Sequence, residues 1–284
     1  TWEEERILQE NTGKQNVMSV SLLRLQSGAI LFFFLQKNAD DDLQLYVRES
    51  RDEAKTWSDP LRVTQGDGYF IMNNARAIQL QSGRILAPIA FCPDIGKDYL
   101  RQVCFCYYSD DEGKHWQKGS GEVALPGTAA MEPGLIERKD GSVLMIIRTQ
   151  LDRIYQSVSS DRGSTWSEAS AMTLTSPASP ATLARLPGRG DLLIVWNNNP
   201  LGDRAGWQGR TPLTAAISQD EGATWKHVRN LAEDPDAGYA YTSITVSEDR
   251  VFLTYYGWKK GKANFEGTDL VFHSLPLSWF YRND

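Results

Sequence analysis

Cysteine is scarce in this 284-residue chain: Cys92, Cys104 and Cys106 are too few for a disulfide framework. Cys104 and Cys106 stand two apart in an apolar run, so both face one side of a strand, and buried free thiols are expected. Histidine is equally rare. His115, His227 and His273 are scattered without metal-ligand spacing, so neither a metal nor an organic cofactor is expected. No Lys/Arg-rich run occurs, and 30 basic against 36 acidic residues leave a net charge of −6, which argues against a nucleic-acid partner. The longest purely apolar stretch, Ala29 to Leu35, is far too short to span a bilayer. The opening residues, TWEEERILQE, are acidic and lack a signal-peptide core, so a soluble chain is expected, while the start at Thr1 leaves its compartment unread. Helical periodicity is nearly absent and no Pro-, Gly- or Ser-rich linker divides the sequence, so one all-β domain over residues 1–284 is expected.

What is present in quantity is repetition. Ser-x-Asp-x-Gly-x-Thr-Trp occurs four times, as SRDEAKTW from Ser50, SDDEGKHW from Ser109, SSDRGSTW from Ser159 and SQDEGATW from Ser218, at spacings of 59, 50 and 59 residues. Ala54 replaces the glycine in the first copy and His115 the threonine in the second. The pattern suits a tight turn: Ser and Asp side chains bond nearby backbone N–H groups, Gly supplies a positive φ, and Trp packs beneath. Interleaved with it is a strand–turn–strand unit seen five times: LRLQSGAILFFF, IQLQSGRILAPI, IERKDGSVLMII, ARLPGRGDLLIVW and TVSEDRVFLTYY. Five units of about four strands, 50 to 60 residues apart, predict a β-propeller of four-stranded blades, with a sixth blade left open. A β-sandwich with decorated hairpins is the rival, and it does not explain the period.

In a propeller the first strand of each blade lines the channel and starts at the same mouth. Residues before those strands therefore converge: Met18-Ser19, Asn73 to Arg76, Met131-Glu132, Ser179-Pro180 and Tyr239 to Tyr241. Loops leaving the second strands open there too, bringing Lys37 with Asp40, Asp41 and Asp42, then Arg148, then Trp196 to Arg210. The Trp-bearing turns fall on the opposite face and are expected to be structural. Carboxylates, arginines and tyrosines without a Ser-His-Asp set or a phosphate-cradling loop favour anion binding and glycosyl transfer over acyl or phosphoryl chemistry. Glu132 and Arg148 flank one hairpin and should emerge side by side.

The four turns resemble the Asp boxes of sialidases. MEPGLIERKDGSVLMIIRT is similar to the segment carrying the glutamate that assists the nucleophile and one arginine of the carboxylate-binding triad, which places Glu132 and Arg148 in those roles. GWQGRTPLTAAISQDEGATW resembles the next blade and puts Arg210 at a second triad arginine. AYTSITVSEDRVFLTYY resembles the segment of the tyrosine nucleophile, which falls on Tyr241. FFFLQKNADDDLQLYV resembles the loop of the acid/base aspartate, with Asp40 the best match and Asp41 and Asp42 as alternatives. Lys37 stands where many members have an arginine, and Arg76, pointing toward the channel, is a candidate substitute cation or a surface ion-pair member. Met18 occupies the first triad arginine's position, and Tyr256 that of the glutamate orienting it. One family blade has no counterpart between residues 58 and 72. The resemblance implies a retaining exo-glycosidase acting on a terminal acidic sugar, without cofactor. A non-catalytic glycan- or protein-binding propeller, and a glycosidase or lyase for another sugar, are the alternatives.

Overall fold

The computed structural model describes residues 4, 6–199, 209–259 and 267–282. The strands form five successive antiparallel units. The first holds β1 (Asn16–Arg24), β2 (Ile30–Lys37), β3 (Leu43–Ser50) and the short β4 (Leu61–Arg62). The second holds β6 (Ile78–Gln79), β7 (Ile85–Cys92), β8 (Val103–Ser109) and β9 (Gln117–Lys118). Between them β5 (Tyr69–Ile71) pairs in parallel with β3 and antiparallel with β7, joining both units in one nine-stranded sheet. The stretch from residue 58 to 72, where the family blade has no counterpart, is thus spent on β4 and this bridging strand.

Blade three is β10 (Met131–Glu137), β11 (Val143–Arg148), β12 (Arg153–Ser159) and β13 (Ser170–Thr175). Blade four is β14 (Thr182–Arg185), β15 (Leu192–Asn197), β16 (Leu213–Ser218) and β17 (Lys226–Ala232). Blade five has three strands among the described residues, β18 (Ala237–Val246), β19 (Arg250–Lys259) and β20 (Asp269–Pro276), followed by a 3-10 helix, Leu277–Tyr281. The architecture is a β-propeller of antiparallel blades.

The second strands of blades one to four read as largely apolar runs because both their faces are buried. In β11, Val143, Met145 and Ile147 enter the core shared with blade two, while Leu144 and Ile146 enter the core shared with blade four. Outer strands show the alternation of half-buried ones, as in β17. Cys104 and Cys106 lie side by side in the core between blades two and three, and burial raises both thiols above their ordinary range. The four core clusters join neighbours one–two, two–three, three–four and four–five. Val20 and Leu22 on β1, and Leu270 and Phe272 on β20, remain exposed at the two ends of the series.

The Trp-bearing turns close these interfaces. In the third, the Ser159 hydroxyl accepts the Gly163 N–H at 2.8 Å, and Asp161 accepts the Thr165 N–H at 2.8 Å and hydroxyl at 2.6 Å. His115 fits the second copy because its Nδ1 takes the threonine hydroxyl's place, 2.5 Å from Asp111 Oδ2. Each glycine also presses on the preceding blade: a Cβ there would meet Leu31 at 3.1 Å from Gly113, Leu86 at 2.9 Å from Gly163 and Leu144 at 3.0 Å from Gly222. The first turn instead packs Trp57 on Phe32 of its own blade, with ring centroids 5.4 Å apart. Ala54 takes the glycine's place in this turn with φ 59°.

Candidate active site

The channel mouth is built on a local irregularity repeated along the inner strands. β1 is bulged between Met18 and Ser21, β10 between Met131 and Gly134, and β18 between Ala240 and Ser243. Each bulge holds a left-handed residue, Ser19 (φ 59°), Glu132 (φ 42°) and Tyr241 (φ 61°), and Ala75 (φ 53°) precedes β6 in the same conformation. An extra residue leaves the ladder at such a point and its side chain is re-aimed. Non-glycine residues in this region cost about 1–2 kcal/mol each, and such costs cluster at functional sites. Two of the four positions carry the glutamate and tyrosine singled out from the sequence. None is glycine or asparagine, so the sequence carries no signal for the bulges.

Across the hairpin Met131 pairs with Arg148, and Arg148 Nη1 donates to Glu132 Oε2 at 2.8 Å, with only 12% and 13% of the two side chains exposed. Burial disfavours the Arg148 charge, but Glu132 and then Tyr241 outweigh it and hold the guanidinium above its ordinary range. Arg210 is 1% exposed, donates to the Ala178 carbonyl at 3.2 Å, and lies with its guanidinium carbon 5.6 Å from the Tyr241 ring centre. Burial, and next the like charge of Arg148, pull Arg210 below its usual value. Tyr241 is half-buried between Arg210 and Tyr256, whose ring stands 6.2 Å away edge-on. Arg76 is 3% exposed and feels the same carboxylate and phenol. Two buried guanidiniums, Arg76 and Arg210, thus feel the charge of Glu132, which itself bonds Arg148. A positive excess away from water is costly until an anion joins it.

Several expected residues lie differently. Arg76 is no surface ion pair: its Nη1 and Nη2 donate to Thr182 Oγ1 and the Ala181 carbonyl at 3.0 and 2.8 Å. Asp40 is exposed; its partners are Gln15 at 3.2 Å and Lys37 at 3.4 Å, and the Gln15 bond first, then Lys37, holds its carboxyl below the usual range. Asp42 accepts from Asn38 and Gln44. Lys37 Nζ lies 5.8 Å from the Tyr69 ring centre. Met18 packs against the core between blades one and two. Of the loop from Trp196 to Arg210, residues 200–208 lie outside the described ones. Sequence reasoning missed Tyr99, in a 3-10 turn between β7 and β8, whose hydroxyl meets Met131 Sδ and whose phenol is raised by burial against the opposing charge of Arg148. A larger cleft of about 480 Å³, lined by Leu125, Trp166 and Glu168 among others, contains none of these site residues.

Blades arranged around a mouth that gathers a tyrosine, a glutamate and arginines define a sialidase-like propeller. The chain belongs to the BNR repeat-like domain family, matched over residues 1–253, within the sialidase superfamily. It is 24% identical over 245 residues to a sialidase of Bacteroides fragilis, covering 80% of this chain and 42% of that protein. It is 23% identical over 256 residues to the anhydrosialidase of Macrobdella decora, covering 82% of this chain and 32% of that protein. A mutant of the NanB sialidase from Streptococcus pneumoniae superposes with a TM-score of 0.70 at 14% identity, over 92% of this chain and 56% of that one. The chain therefore spans less than half the length of these two curated relatives.

Proposed function

We propose that the chain is a retaining exo-glycosidase for a terminal acidic sugar, sialic acid or a relative. The observation that carries this reading is the gathering of Arg148, bonded to Glu132 at 2.8 Å, and of Arg210, 5.6 Å from the Tyr241 ring centre, at the bulged mouth. Arg148 and Arg210 bind the sugar carboxylate through charge-assisted hydrogen bonds. Tyr241 Oη attacks the anomeric carbon as the glycosidic C–O bond breaks, its proton passes to Glu132, and the leaving oxygen takes a proton from Asp40 or water. Water then attacks the anomeric carbon as its bond to Tyr241 breaks; the water's proton passes to the Asp40 carboxylate or to solvent, replacing the one given to the leaving oxygen, and Tyr241 recovers its own from Glu132. A neutral nucleophile suits a carbon already bearing a carboxylate, because an anionic one is repelled. Glu132 now bonds Arg148; substrate carboxylate competing for Arg148 releases it toward Tyr241.

Tyr241→Phe tests the reading. It should leave stability within about 1 kcal/mol, the scale of one hydrogen bond, while turnover of a fluorogenic sialoside falls by orders of magnitude. A fluorinated acidic-sugar inactivator should label the parent at Tyr241. Full turnover in Tyr241→Phe would exclude the tyrosine mechanism. The packing of Met18 against a blade core, which leaves no arginine at that point of the mouth among the described residues, favours a second reading, a non-catalytic propeller that binds acidic glycans. Calorimetric binding of sialic acid by a parent that hydrolyses no glycoside would select it.

A further inference from the structure

We propose that Arg76 is a positioning residue for Tyr241, acting through Thr182 and the Thr242 carbonyl rather than by touching substrate. The inference rests on the glycosidase reading of Tyr241 for its kinetic arm alone. Arg76 is almost wholly buried, yet its terminal nitrogens donate to neutral oxygens, Thr182 Oγ1 at 3.0 Å and Ala181 O at 2.8 Å. The Thr182 hydroxyl, with its lone pair taken, passes its own proton donor to the Thr242 carbonyl at 2.7 Å. Thr242 follows the nucleophile candidate directly, inside the β18 bulge where Tyr241 holds φ 61°. The donors run in one direction, from a cation through a hydroxyl to a carbonyl, and each bond polarises the next.

The same residue is anchored at its other end. The backbone N–H groups of Arg76 and Ala77 both donate to the buried Ser21 hydroxyl, at 3.0 and 3.1 Å, and Ala75 N–H donates to the Val20 carbonyl at 3.0 Å. One arginine thereby ties blade two to blades one, four and five across the channel. Without it the Thr242 carbonyl loses a fixed donor and the Tyr241 peptide is free to leave a disfavoured conformation. Small displacements of a reacting group are enough to slow chemistry a hundredfold.

Thr182→Val removes the hydroxyl at constant shape, Thr182→Ser keeps it, and Arg76→Met removes the guanidinium. In the full chain labelled with [13Cζ]tyrosine, the Tyr241 resonance, assigned by its loss in Tyr241→Phe, should shift in Thr182→Val and Arg76→Met and stay in place in Thr182→Ser. With a fluorogenic sialoside, kcat should fall about tenfold or more in Thr182→Val with KM within twofold, and Thr182→Ser should retain it. An unmoved Tyr241 resonance in a folded Thr182→Val protein overturns the proposal, as does a rise in KM confined to Arg76→Met, which makes Arg76 a substrate ligand. A parent that cleaves no sialoside removes the glycosidase reading and leaves the resonance to decide the relay.

Discussion

Tyr241, Glu132, Arg148 and Arg210 were legible because each sits a countable distance from a hairpin turn or matches a segment of known pattern. The left-handed backbones of Glu132 and Tyr241 were not, since neither is a residue that favours φ near 42° or 61°. Asp40 illustrates the same limit: its loop and Lys37 three residues before it are readable, but Gln15, the first of the two groups that hold its carboxyl low, reaches it only through the fold. A carboxylate held ionised is a poor proton donor near neutral pH. Asp40→Asn should therefore leave cleavage of both an activated aryl sialoside and a sialoside with a poor leaving group near the parent rate; strong slowing of the latter alone returns the acid role to Asp40. Arg148→Lys should weaken acidic-sugar binding by about tenfold or more, since one charge-assisted hydrogen bond is worth about 1.5–3 kcal/mol. Titration calorimetry reads this directly. Gly163→Ala, at φ 83° and with its Cβ 2.9 Å from a Leu86 methyl, should cost about 1–3 kcal/mol in urea unfolding, whereas Ala54→Gly should change stability by less than about 1 kcal/mol.

At the scale of the element, the Trp-bearing turn is a carboxylate wrapped in donors. The Thr56 hydroxyl and amide hold Asp52 down to about 2; at Asp111 burial pulls upward, yet the His115 amide and ring and the Ser109 hydroxyl prevail, again to about 2. Asp161 and Asp220 are lowered in the same manner by their threonines against burial. Each folded-state value lies below the unfolded one near 3.9, so the folded chain binds fewer protons. The stabilisation is present above about pH 4 and is lost as pH falls toward 2. Acid unfolding followed by circular dichroism should show this window, and Asp111→Asn should flatten it. Trp116→Ala, removing a buried ring that packs on Phe33 at 5.7 Å, should cost about 3–5 kcal/mol and leave ligand affinity unchanged. The recurrence of this turn made the architecture readable, whereas β5 has no repeat partner and gave no such sign.

Across the whole molecule, stability is concentrated between blades rather than within them. β11 and β15 each contribute to two cores, while β20 bears Leu270 and Phe272 outward. Amide exchange should therefore be slowest in β11 and β15 and fastest in β20, since protection follows buried contact; uniform protection would mean that the sheets open only together.

The pressing of each glycine turn on the leucine of the blade before it sets a direction along the chain. Blade one is sealed by Gly113, blade two by Gly163 and blade three by Gly222, all delivered by the next unit to be made. Blade four, whose successor shows no such turn among the described residues, is sealed by the 3-10 helix Leu277–Tyr281, with Phe280 in its core and Tyr281 bonded to Asp191 at 2.9 Å. In synthesis from the N-terminus, each of blades one to four is made before the element that seals it, so truncation after any of these turns should leave one blade open and those before it capped.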